Sequence, residues 1–189
     1  KNVTPEIAAK NPFAGDVWTW AAIDADTKLI PSWIIGPRDG VAARIFVNDL
    51  AGRLADRVQL TSDGLKAYLA AVERAFRGDV DYAQLVKIYG ETSEGQKRYS
   101  PAECVGCERH AVVGHPDPQH ISTSFIERAN LTMRMGMRRF TRLTNGFSKK
   151  AENHMHAVAL HFFVANFCRA HMTLTKARGG IHTSPAMAA

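Results

Sequence analysis

Cysteine is scarce in this chain. Cys104, Cys107 and Cys168 are too few for a disulfide framework, so the fold has to rest on a hydrophobic core. No apolar run approaches the roughly 20 residues that a membrane span needs. No basic-then-apolar leader with a cleavage site opens the sequence, which points to a cytoplasmic protein. There is no internal repeat and no low-complexity tract, which excludes solenoid and fibrous architectures. What remains is an ordinary globular composition, 46% hydrophobic and 22% charged over 189 residues, suited to a single α/β domain.

The net charge of +6 is informative once it is located. Between Glu127 and Lys150 stand seven basic residues, Arg128, Arg134, Arg138, Arg139, Arg142, Lys149 and Lys150, against the single acid Glu127. Elsewhere the charges cancel. A compact basic block on a neutral background suits a phosphate-backbone partner, although a solvated helix face would carry the same charges.

Periodicity sets the expected elements. Residues 16–24 (DVWTWAAID) read as a strand with both faces covered, Ala25-Asp26-Thr27 as a tight turn, and 29–35 as the hairpin partner, with Pro31 marking an edge or a bulge. Helical spacing runs over 41–54 and 66–76, with strands at 57–61 and 80–89. Residues 89–121 hold Pro101, Pro116 and Pro118 and no sustained period, which predicts a long loop. Further helices are expected over 122–140 and from a Ser148 cap to about His171. The domain therefore spans 16–172, after an irregular lead-in at 1–15 and before a loose tail at 173–189.

Three acids stand out by position: Asp24 closing one strand, Asp63 just beyond the end of another, and Glu127 in the first turn or two of a helix. Carboxylates at strand ends and a helix start can converge on one cleft, and their hard oxygens suit Mg²⁺ or Mn²⁺ rather than zinc. Two such ions can activate an attacking oxygen and stabilise a leaving one in phosphoryl transfer. Asp63-Gly64 also reads as a plain turn. On the Glu127 helix, Ile126, Ala129, Met133, Met137 and Phe140 form one apolar stripe, with Glu127, Arg134 and Arg138 aligned along its border.

Other signals are weaker. Cys104 and Cys107 form a single CxxC followed by irregularly spaced His110, His115 and His120, too little for a structural zinc site. His154, His156, His161 and His171 share no clean helix face, which suits packing or surface roles. Trp18, Trp20 and Trp33 lie in strands, where core packing outweighs a base-stacking role.

The runs ISTSFIERANLTMRMGMRRFTRLTNGFSKK, LTSDGLKAY and WTWAAIDADTKLIPSW, with the terminal TSPAMAA, closely resemble DDE transposases related to insertion sequence one, over nearly the whole chain. The resemblance implies a ribonuclease-H-like fold with a mixed five-stranded sheet and catalytic carboxylates that bind two Mg²⁺ ions. It makes Asp63 the second carboxylate and Glu127 the third, both metal ligands, and gives Arg134 the place of the basic residue that follows the glutamate. Arg128, Arg138, Arg139, Arg142, Lys149 and Lys150 join it as DNA-binding residues. It further implies double-stranded DNA partners (element ends and target), a homodimer when active, and a bacterial cytoplasmic, nucleoid-associated setting. One departure matters. Such families carry the first aspartate in a D-E-x-W-like stretch, which these residues lack, so an N-terminal truncation is expected and Asp24 becomes a third carboxylate of structural, auxiliary or substitute role. The rival expectations are an inactive DNA-binding remnant and a nuclease without joining activity.

Overall fold

The computed structural model describes residue 6 and residues 17–90, 104–140, 146 and 150–189. The expected lead-in at 1–15, Glu6 apart, and the positions of Arg142, Ser148 and Lys149 lie outside the described residues. The chain is mixed α/β and forms two compact units, Lys1–Arg53 with Ser124–Ala189, and Leu54–Thr123. Its five described strands lie in two sheets, one of two strands and one of three, where the resemblance implies a single five-stranded sheet.

In the first unit, β1 (Trp18–Ala21) pairs antiparallel with β2 (Trp33–Gly36). Pro31 cannot donate to a ladder, and β2 accordingly begins two residues after it. The turn between the strands forms where the sequence places it, at 25–27. Trp18 departs from the two-sided burial expected of this strand: it is 46% exposed, with the Arg38 guanidinium 4.9 Å from its ring centroid. Trp20 is buried beside Phe46 of α1 (Gly40–Ala51). That helix starts where Asp39 accepts a hydrogen bond from the Ala42 N–H at 2.8 Å, and it buries Ala42, Ala43, Phe46, Val47 and Leu50, a 3.6-residue pattern.

The longer helices of this unit are α3 (Ser124–Gly136) and α4 (Ala151–Phe163). Ile30, Met133, Val158 and Phe162 form a core cluster, with Trp33, Ile35, Met137 and Phe140 packed against it. Of the expected apolar stripe, Met133 on α3 and Met137 and Phe140 just beyond it meet this core, while Ile126 and Ala129 are only partly buried. Lys150, not Ser148, occupies the N-cap position of α4, without a side-chain cap bond. After Phe163 the helix widens into a π segment, Val164–Cys168, that turns Asn166 inward. The Asn166 amide accepts from the Ile30 N–H and donates to the Ile30 carbonyl, each at 3.0 Å, satisfying a buried backbone pair of the hairpin.

The tail expected to be loose is packed instead. It carries α5 (Met172–Ala177) and α6 (Pro185–Ala188), and Thr183, Ser184 and Pro185 are buried. Small polar residues give no hydrophobic period to read. Thr183 is tied in by hydrogen bonds, its carbonyl accepting from the His171 N–H at 2.9 Å and its hydroxyl donating to the Ile181 carbonyl at 2.7 Å.

In the second unit, β3 (Gln59–Asp63) runs parallel to β4 (Asp81–Tyr89), with α2 (Ala67–Phe76) as the crossover. The strand β5 (Cys104–Val113) lies antiparallel on the other side of β4, giving the order β3-β4-β5. β5 corrects the long loop expected over 89–121, of which 91–103 lie outside the described residues. Eight of its ten residues are exposed, so no apolar alternation marks it in the sequence; the backbone ladder to β4 makes it a strand. Here β4 is the central strand, and Tyr82, Ala83, Gln84 and Leu85 are its buried residues.

Candidate functional site

In the second unit the site begins at Asp63, the last residue of β3 and not one beyond it. Parallel pairing with β4 puts it at the carboxyl end of the strand, where open sheets place their ligand sites. The carboxylate is exposed, and its Oδ1 accepts from the Leu65 N–H at 3.2 Å, an Asx turn that leads the chain towards α2. Gly64 fits closely here: a Cβ would meet Val86 Cγ2 at 3.0 Å, so any side chain would require Val86 to give by a few tenths of an ångström.

Beneath this turn is a polar network that the sequence reading did not single out. The Gln84 amide nitrogen donates to the carbonyls of Asp63 (3.1 Å) and Leu65 (3.3 Å) and to the Tyr82 hydroxyl (3.0 Å). Ser62 Oγ lies 2.7 Å from the Tyr82 hydroxyl and donates to the Asp63 carbonyl at 2.8 Å. Burial pushes the Tyr82 phenol up, hydrogen bonds from Ser62 and Gln84 oppose that, and the negative charge of Asp63 adds to it. The backbone that carries Asp63 is therefore held by a buried amide and a neutral phenol. A glutamine between the apolar neighbours of YAQLV (82–86) was the available signal, because a buried amide needs partners.

In the first unit Glu127 lies in the first turn of α3, exposed, where its charge complements the helix dipole. Arg128 and Arg134 are exposed on the same helix. The border alignment of Glu127, Arg134 and Arg138 holds only as far as Arg134. The α-helix ends at Gly136, and Arg138 stands in the following 3-10 turn Arg138–Phe140, whose residues rotate by about 120° instead of 100°. Arg139 is half-buried and donates to the Asn153 carbonyl at 3.1 Å, tying that turn to α4. A groove of this unit is lined by Arg128, Leu131, Thr132, Met135, Gly136 and Arg169. It adds Arg169, at the end of the π segment, to the basic residues read from the sequence.

Asp24 is occupied by the hairpin. Its carboxylate accepts from the backbone N–H groups of Asp26 (3.0 Å) and Thr27 (3.4 Å) and from the Thr27 hydroxyl. Partial burial pushes its carboxyl up, but the Thr27 hydroxyl, the two N–H donors and Lys28 outweigh that and hold it below the usual carboxylate value.

No family model, curated protein or solved structure matches this chain. Its functional reading therefore rests on its own residues. Among the described residues no group of three or more His, Cys, Asp or Glu side chains is gathered to hold a metal ion, the CxxC and its histidines included. His154 packs edge-on against Phe140 at 5.0 Å, and His161 against Phe162 at 5.6 Å. Burial, then Arg139 and Arg169 respectively, pull both imidazoles below their usual value, as packing roles require. Among the described residues no helix is long and apolar enough to cross a membrane.

Proposed function

We propose that this chain is the catalytic region of a DDE-type insertion-sequence transposase with a ribonuclease-H-like fold, acting on double-stranded DNA in the bacterial cytoplasm and working as a dimer. The observation that carries the reading is the clamped Asp63 turn: a motif carboxylate at the carboxyl end of a parallel strand, its backbone fixed by buried Gln84. The donor chemistry of Asp63 and Glu127, exposed hard oxygens, fits Mg²⁺. In this reading these two residues would hold the ions, which supply charge stabilisation and an activated oxygen nucleophile for in-line phosphoryl transfer. Arg128, Arg134, Arg138 and Lys150 would bind the phosphate backbone.

Glu127→Gln tests it. With DNA carrying the element's end and Mg²⁺, the variant keeps DNA affinity but loses cleavage and joining by more than about a hundredfold, since even ligand-supporting residues cost about 10–100-fold at metal sites. Unimpaired joining by that variant overturns the assignment.

A second reading is favoured by one observation. The Asp24 carboxylate is taken up by its own turn, accepting from the Asp26 and Thr27 N–H groups and the Thr27 hydroxyl. A DNA-binding protein without complete metal chemistry would have this pattern. Salt-sensitive DNA binding with no Mg²⁺-dependent nicking identifies it, whereas hydrolysis without joined products identifies a nuclease.

A further inference from the structure

The edge strand β5 carries a pair of thiols that neither the fold nor the DNA chemistry uses. In a regular strand, residues three apart face opposite sides. Cys104 and Cys107 do not, because the ladder slips between them: Lys87 pairs with Cys107, Ile88 with Gly106 and Tyr89 with Cys104, leaving Val105 as the extra residue of a β-bulge. Lys87 and Tyr89 are two apart on β4 and share a face, so their partners Cys104 and Cys107 share one too. The Cys104 thiol donates to the Gly106 carbonyl at 3.3 Å, which folds it along the strand towards Cys107. Both cysteines are exposed. Burial, then the neighbouring Cys104 thiol, push the Cys107 thiol up, and the positive charges of Lys87 and Arg109 offset this only in part.

We propose that Cys104 and Cys107 form a redox dithiol that exchanges with low-molecular-weight disulfides of the glutathione type to close an intrastrand disulfide. One thiolate attacks the small disulfide, forming a mixed disulfide and releasing one small thiolate. The second cysteine, deprotonated, attacks the protein sulfur of that mixed disulfide, forming the Cys104–Cys107 bond and expelling the other small thiolate. Two protein thiols are oxidised and one small disulfide is reduced to two thiols, so hydrogens and electrons balance. Among the described residues the pair gathers too few ligands for zinc, whereas its same-face placement puts both sulfurs on one side of the strand.

Oxidised glutathione added to the reduced whole protein provides the test, with intact mass and peptide mapping as the readout. The expected product links Cys104 to Cys107 with no retained glutathione, and forms faster as pH rises above neutrality. Cys168, also exposed, serves as the internal control and carries a glutathione adduct. Cys104→Ser turns the internal disulfide into a persistent adduct on Cys107, and Cys107→Ser does the reverse; the wild-type map needs neither variant. Separate adducts on Cys104 and Cys107, or two reduced thiols beside a modified Cys168, overturn the proposal. The outcome does not depend on DNA or Mg²⁺.

Discussion

Gln84 is the residue on which the Asp63 turn depends. One buried amide nitrogen serves two backbone carbonyls and the Tyr82 hydroxyl, so an apolar side chain of similar length would leave those acceptors short of a donor. Gln84→Leu should destabilise the protein by about 1–3 kcal/mol. Thermal denaturation measures this, and a melting curve identical to that of the wild type would show that the network does not hold the turn. Asp63 itself was legible because LTSDG carries its own turn chemistry. Gln84 was not, because it touches the motif only after β4 has paired with β3.

At the scale of elements, the three strands of the second unit are joined at one end by Arg57 and Asp81. Arg57 donates to Asp81 through Nε (3.0 Å) and Nη2 (2.8 Å) and to the carbonyls of Gly78 and Val80, while Asp81 also accepts from the His115 N–H at 2.7 Å. Arg57 two residues before β3, the first residue of β4 and the chain leaving β5 are thus joined at one carboxylate. Gly114 adopts φ +68°, and a Cβ there would run into the Asp81 carboxylate and the Arg57 guanidinium. The guanidinium, then the His115 N–H, hold Asp81 down at about 2, against 3.8 for an ordinary aspartate. A lowered folded-state value means stability that is present above the unfolded value and lost as pH falls through the folded one. Acid titration followed by circular dichroism should therefore show stability lost between about pH 4 and pH 2, with a weaker loss in Asp81→Asn. An acid limb unchanged in that variant would remove Asp81 as its cause. The helices α1 to α4 and the β1–β2 hairpin could be read from spacing, Pro31 and the turn at 25–27. β5 could not, because an edge strand exposed on both faces writes no alternation into its sequence.

For the whole molecule, charge is the property read most directly. The basic block between Glu127 and Lys150 carries the entire excess of +6. If it binds phosphates, each lost contact lowers the salt dependence of DNA affinity by about 0.9 in the log-log slope. Arg134→Ala combined with Arg138→Ala should reduce that slope by about 2, measured by fluorescence anisotropy across a salt series. An unchanged slope would show that these arginines face solvent only. Arg139 belongs outside that pair, because its hydrogen bond to Asn153 gives it a structural part that would confuse the reading.

The β1–β2 hairpin, β3, β4 and the helices α1 to α4, the charge block and the Asx turn of Asp63 all follow from residues within a few positions of one another. Such short-range patterns are written in the sequence itself. Tertiary structure alone decided the strand nature of β5, the burial of the C-terminal residues, the Gln84 network and the π segment that brings Asn166 to Ile30, 136 residues away. The Gln84 network and the Asn166–Ile30 link exist because a buried polar group must find its partner wherever the chain brings one, and that partner leaves no periodic trace beside it; β5, exposed on both faces, is a strand through its backbone ladder to β4.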